Sequence, residues 1–189
     1  MELFKEFRLK IGKAILAKKA AKIKRVASYS NFGNVRSIGI VWDASKPLEF
    51  NYLSKFHQKM QEIKIDVMIL GYYPGNNLPD QYTAIRYFSC IKKDEVNKFY
   101  HPASSETSKF INTPFDVLID INFDNHFPLQ YVTLLSKARF KVGLYDPQLK
   151  DQVSDLTIEL KKPVDIESYL KQIIHYLEMI KDENLKTVV

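Results

Sequence analysis

Two short clusters hold most of the side chains that could do chemistry. The first is Asp120-Ile121-Asn122-Phe123-Asp124-Asn125-His126. A carboxylate beside an imidazole can exchange protons as general acid and base, and a helix start just behind it can hold an anion. The same residues have a plainer use. Asp or Asn shortly before Pro128 is what a helix with proline in its first turn requires, so Asp124 or Asn125 would serve simply as a cap. The second cluster is Asp43, Ser45 and Lys46, a carboxylate, a hydroxyl and an ammonium in one short turn. Lys46 is of the right type to pair with a phosphate, and equally of the type that fills solvated turns.

Familiar reaction machinery is absent around these clusters. No GxGxxG follows the apolar run 37–42, where the turn instead reads DASKP, and no Walker sequence occurs, so neither glycine-rich phosphate cradle is present. No serine sits in a GxSxG elbow. His57, His101, His126 and His175 form no pair at metal-ligand spacing, so no metal set and no cofactor is expected from the sequence. His57 and His175 fall on expected helices as solvated or core-edge rings. Cys90 stands alone beside an apolar strand, which excludes an internal disulfide and fits a reducing compartment.

The elements that must position the two clusters follow from hydrophobic periodicity. Residues 115–121 form an apolar run with one acid near its end, the pattern of a strand covered on both faces in a parallel sheet. A polar turn at 122–127, a helix at 128–137 and a strand at 140–144 complete a strand–helix–strand unit. Earlier, 37–42 reads as the first strand, ending at Asp43. A helix follows, carrying Leu53, Phe56, Met60 and Ile63 at spacings of three and four. Residues 65–70 are the second strand, 83–88 a third, 96–100 a short extended piece, and 104–111 a serine-capped helix. A last strand at 156–160 precedes a helix capped by Asp165, with Ile166, Tyr169, Leu170, Ile173, Ile174, Leu177 and Ile180 on one face. This alternation predicts a three-layer, Rossmann-like α/β domain with a mainly parallel sheet over residues 31–189. In such sheets ligands sit beyond the carboxyl ends of the strands, where both clusters fall.

The chain of 189 residues carries a net charge of +6, but that charge is not evenly spread. Residues 1–28 hold nine basic side chains against Glu2 and Glu6, a segment charge of +7, which leaves the remainder at −1. The domain proper is therefore no basic nucleic-acid platform. The 1–30 extension is expected to be helical, with Phe4, Phe7, Ile11 and Ile15 on one stripe and Leu9, Leu16, Ala20, Ile23 and Ala27 on another. Gly12 falls where the stripes exchange and reads as a bend. Packing on the domain or on a second protomer, binding to a membrane surface and binding to nucleic acid are the three uses left open for this arm. A hydrophobic fraction of 46% excludes general disorder, and no apolar run approaches the roughly 20 residues that span a bilayer. The start lacks the uninterrupted apolar core of a secretory signal, so the expected location is cytoplasmic, or peripheral to the inner membrane through the arm.

The stretches Phe115-Asp116-Val117-Leu118-Ile119-Asp120 and Ser136-Lys137-Ala138-Arg139-Phe140-Lys141-Val142-Gly143 resemble the acceptor-side half of heptosyltransferase-type glycosyltransferases. The elements FPLxY (127–131) and SxAxFKVG (136–143) also resemble a family of short uncharacterised Bacteroidota proteins. The first resemblance implies a Rossmann-like fold and a cleft suited to a sugar, with a second domain supplying the nucleotide-sugar half. The glycine–aspartate turn of those enzymes is replaced by DASKP, so no catalytic base is carried over to Asp43. The function expected is a non-catalytic binding or interaction module, derived from such a half-domain and taking a small anionic or sugar ligand or a protein partner. The alternatives are a glycosyltransferase-type enzyme completed by a homodimer partner or separate subunit, and a membrane-surface adaptor held by residues 1–28.

Overall fold

A computed structural model of the chain describes residues 2–82, 85–146, 154–160 and 164–180. Six strands, β1 (Ser37–Asp43), β2 (Asp66–Tyr73), β3 (Phe88–Lys92), β4 (Val117–Ile121), β5 (Phe140–Leu144) and β6 (Leu156–Ile158), form one sheet in the order β3-β2-β1-β4-β5-β6. Every neighbouring pair is parallel. Five α-helices accompany them among the described residues: α1 (Glu2–Ala20), α2 (Phe50–Glu62), α3 (Ser105–Asn112), α4 (Phe127–Leu135) and α5 (Ile166–Met179). This is the expected Rossmann-like α/β fold with a helix ahead of it.

Alternation along the strands sorts side chains between two cores. Ile38, Ile40 and Trp42 of β1, with Val117, Ile119 and Ile121 of β4, pack against Leu53, Phe56 and Met60 of α2 and Tyr169, Ile173 and Leu177 of α5. Val41 and Leu118 face the other way, onto Phe110 of α3 and Leu129 and Val132 of α4. Trp42 and Tyr169 are fully buried, and burial of a large side chain contributes roughly 1.5–3 kcal/mol each. Helix starts are set by the expected caps: Ser104 Oγ accepts from the Thr107 amide at 3.2 Å, and an Asp165 carboxylate oxygen from that of Ser168 at 2.8 Å.

The third strand lies at Phe88–Lys92, not at 83–88, of which Thr83 and Ala84 lie outside the described residues. Its position follows from the aromatic group Trp42, Phe50, Tyr82 and Phe88, whose ring centroids lie 5.2–6.1 Å apart and which puts Phe88 opposite Ile69 of β2. Residues 96–100 form no strand; one antiparallel bridge joins Val96 to Pro102, and Tyr100 takes a positive φ of 62°. β2 runs three residues past the expected end at Leu70, because pairing with β1 and β3 on both sides carries it to Tyr73.

α1 runs unbroken through Gly12. The residue is small for a different reason than a bend: the Phe99 carbonyl and the Phe127 ring occupy the space a Cβ would need. Leu16 packs with Phe127 and Tyr131, the His101 Nε2 lies 2.9 Å from the Gly12 carbonyl, and Lys19 donates to the Tyr131 hydroxyl at 2.8 Å. The helix stops at Ala20 rather than near residue 28. Arg25 then makes a bidentate pair with Asp155 at 2.6 and 2.8 Å, and the Ser28 amide donates to the Arg139 carbonyl. Phe4 and Phe7 of the other stripe stay 74% and 62% exposed. No described helix is long and apolar enough to cross a membrane.

Candidate functional site at the switch point

The strand order reverses between β1 and β4. From β1 the chain moves through α2 to β2 on one side; from β4 it moves through α4 to β5 on the other. The two connections diverge, which opens a crevice at the carboxyl ends of these two strands, the place where doubly wound sheets take ligands. Asp43 is the last residue of β1, and the turn 122–126 links β4 to α4, so both sequence clusters arrive at this one edge.

Asp43 follows Val41 on the α4 side of the sheet and is only 3% exposed. One carboxylate oxygen, Oδ1, accepts from the Ser45 amide at 3.0 Å. The other, Oδ2, lies 3.3 Å from His126 Nε2, within ion-pair reach but without aligned hydrogen-bond geometry, and it has no hydrogen-bond partner. Burial pushes the Asp43 carboxyl up, but His126 and the Ser45 amide outweigh it and hold the acid well below the ordinary carboxylate range. His126 is raised in turn by Asp43. Beside this pair, Lys46 Nζ meets Asp124 Oδ2 at 2.6 Å, and Asp124 keeps the Lys46 ammonium above its usual pKa. These two side chains are 40% and 50% exposed, so the pair is screened by solvent and contributes little to stability.

The remaining sequence candidates sit behind this group. Asn122 closes the turn from within: its Oδ1 accepts from the His126 amide at 2.8 Å and its Nδ2 donates to the His126 carbonyl at 2.9 Å. That ring fixes where the His126 backbone, and hence its imidazole, stands. His126 occupies the cap position of α4 without a side-chain cap bond, which leaves the ring free for Asp43. Asp120 lies half-buried against α4; its Oδ1 accepts from the Asn122 amide and its Oδ2 from Thr133 Oγ1, both at 2.8 Å. Burial raises its pKa. Asn125 takes the left-handed conformation, φ 56°, which asparagine tolerates, and its Nδ2 reaches an Asp146 carboxylate oxygen at 3.3 Å. The structure thus brings together Asp43, Ser45, Lys46, Asp124 and His126, with Asn122 and Asp120 as supports and Asn125 at the turn's outer side.

Two further side chains belong to the edge. Tyr72 pairs in register with Asp43, its ring lies 5.4 Å from His126, and burial followed by Asp43 raises its hydroxyl. Glu49, raised chiefly by burial, feels the charges of Lys46, Asp43 and Asp124. Ending the second strand at Leu70 hid Tyr72; extending that strand opposite Asp43 would have exposed it.

An apolar groove lies apart from these groups. A groove of about 370 Å³ runs between α2 and α5, with Phe56, Met60, Leu170 and Ile174 as floor and Lys59 and Lys171 at the rim. None of its residues presents a buried unsatisfied polar atom, whereas the switch point does. The switch point is therefore the candidate site.

Fold and site together define a doubly wound, Rossmann-like α/β protein with an acid–histidine–lysine constellation at its switch point. The chain belongs to a family of unknown function, DUF6913, whose family model matches residues 8–180. A comparison with curated proteins finds no match.

Proposed function

We propose that the chain is a ligand-binding module that takes a small anionic ligand, such as a sugar phosphate, at the β1–β4 crevice. One observation carries the reading: a pair-forming lysine and a histidine of raised pKa converge at the one sheet edge where the connections diverge. An incoming phosphate or carboxylate would accept from Lys46 and His126, while Asp43, fixed by the Ser45 amide, orients the imidazole. The likeness of 115–120 and 136–143 to a sugar-acceptor half-domain supports a sugar-bearing ligand and an origin in glycosyltransferase-like proteins.

A second reading rests on the Asp43–His126 pair itself. A buried carboxylate beside a half-exposed imidazole is the arrangement of a general base, and it would serve an enzyme completed by a second copy or a separate subunit. The two readings separate on turnover, which only the second requires.

The test is a thermal-shift screen of the intact chain against nucleotides, nucleotide-sugars and sugar phosphates. A ligand present at 100 times its dissociation constant adds about 2.7 kcal/mol and raises the midpoint by several degrees. The expected result is a hit among the anionic sugars that Lys46→Met weakens roughly tenfold. A flat panel would overturn the reading.

A further inference from the structure

Side chains from two separate parts of the chain, the end of β1 and the turn before α4, meet at the switch point. Asp43, Asp124 and His126 each offer one ligating atom, and these atoms all lie within 4.8 Å of one another. Acidic groups gather on surfaces for many reasons, and proximity alone is no site. A second, independent feature points to a ligand here. Asp43 is 3% exposed, yet its Oδ2, on the side facing His126, is buried with no hydrogen-bond partner. Buried carboxylate oxygens are normally hydrogen-bonded, but this one faces the His126 nitrogen at 3.3 Å without the alignment of a hydrogen bond, as two ligands of one cation would.

We propose that Asp43, Asp124 and His126 form a divalent-cation site of the Mn²⁺ or Zn²⁺ type. Two carboxylate oxygens and one imidazole nitrogen make a donor set of mixed hardness, which suits these ions better than Ca²⁺ with its preference for six to eight oxygens. Three protein ligands leave coordination positions open, as in metal sites that also engage a ligand. Asn122 supplies the supporting shell, since its two bonds to the His126 backbone hold the imidazole in place.

Lys46 gives the site a built-in competitor. Its ammonium sits 2.6 Å from Asp124 Oδ2, on a carboxylate that the cation would use. A cation at the centre displaces Lys46 from Asp124 and frees it for an anion, so the metal would bridge protein and ligand. This bridging role rests on the anion-binding reading; the cation site itself does not.

The experiment is isothermal titration of the full chain with Mn²⁺ alone, checked by the electron paramagnetic resonance signal of free Mn²⁺. One ion should bind per chain. Asp124→Asn, an exposed change on a turn, should weaken binding by at least about tenfold, and Asp43→Asn, with folding checked by circular dichroism, should do so too. Lys46→Met should tighten Mn²⁺ binding, the opposite of its effect on an anion. Absence of Mn²⁺ binding at millimolar concentration, or binding unchanged in Asp124→Asn, would overturn the inference. Repeating the anion panel with a chelator keeps the two claims separate. Anion shifts that survive the chelator beside a silent Mn²⁺ titration remove the cation site alone; Mn²⁺ bound one to one beside a flat panel removes the anion reading alone.

Discussion

Two aspartates stand near each other at the carboxyl ends of adjacent central strands, and the fold treats them in opposite ways. Val41 pairs with Asp120 in register, so Asp43 lies two residues further along β1, and both acids face the α4 side of the sheet. Asp120 is completed by the protein: Thr133 and the Asn122 amide fill its oxygens, and nearby Lys141, 2% exposed, donates to the Thr133 and Leu134 carbonyls at 2.7 and 3.1 Å. Asp43 is buried as deeply as Lys141, but one oxygen has no hydrogen bond and faces only the His126 ring, beside the solvent-exposed Lys46–Asp124 pair. A polar cluster closed on itself fixes structure; one left open at a sheet edge is available to a ligand. The difference separates the two, and composition alone would not.

That contrast can be broken by substitution, most severely on the closed side. Asp120→Ala removes the acceptor for Thr133 and the Asn122 amide and should cost about 3 kcal/mol in urea unfolding. A cost near zero would mean the interior network is not structural. Lys141 gives the next largest effect, and it depends on pH. Burial lowers its pKa from 10.5 to about 8, so between those values the unfolded chain holds a proton that the folded chain has released. Stability should therefore rise with pH from 8 to 9, by on the order of 1 kcal/mol, below the range where the Cys90 thiol, raised by burial from 9.0 to about 12, opposes it, and Lys141→Met should flatten the rise. A slope that survives Lys141→Met would assign the titration elsewhere. On the open side, Tyr72→Phe should change stability by less than about 0.5 kcal/mol, while shifting the affinity of any ligand that touches His126.

The fold was legible in the sequence because its signals are local. Apolar runs at 37–42 and 115–121 and the caps Ser104 and Asp165 are each decided within a few residues. The misplaced third strand and the short first helix were decided by distant partners: Phe88 by the Trp42–Phe50–Tyr82 rings, and the end of α1 by the pairing of Arg25 with Asp155 and of Ser28 with Arg139. The candidate site was legible as two clusters at strand ends but not as a grouping. Both clusters carried chemistry at strand ends, yet nothing along the chain says that Asp43 meets His126 or that Lys46 meets Asp124. Those contacts arise only when β1 and β4 become neighbours, and nothing along the chain says that Asp120 is taken up by Thr133 of α4.

The central claim is that the open cluster, and not the groove between α2 and α5, receives the ligand. Backbone amide shifts recorded while a sugar phosphate is titrated into the labelled chain test it most directly. The account predicts perturbations confined to residues 43–46, 72 and 122–127. Perturbations centred on Tyr52, Lys59, Lys171 and Ile174 would contradict it, and would move the binding site to the groove.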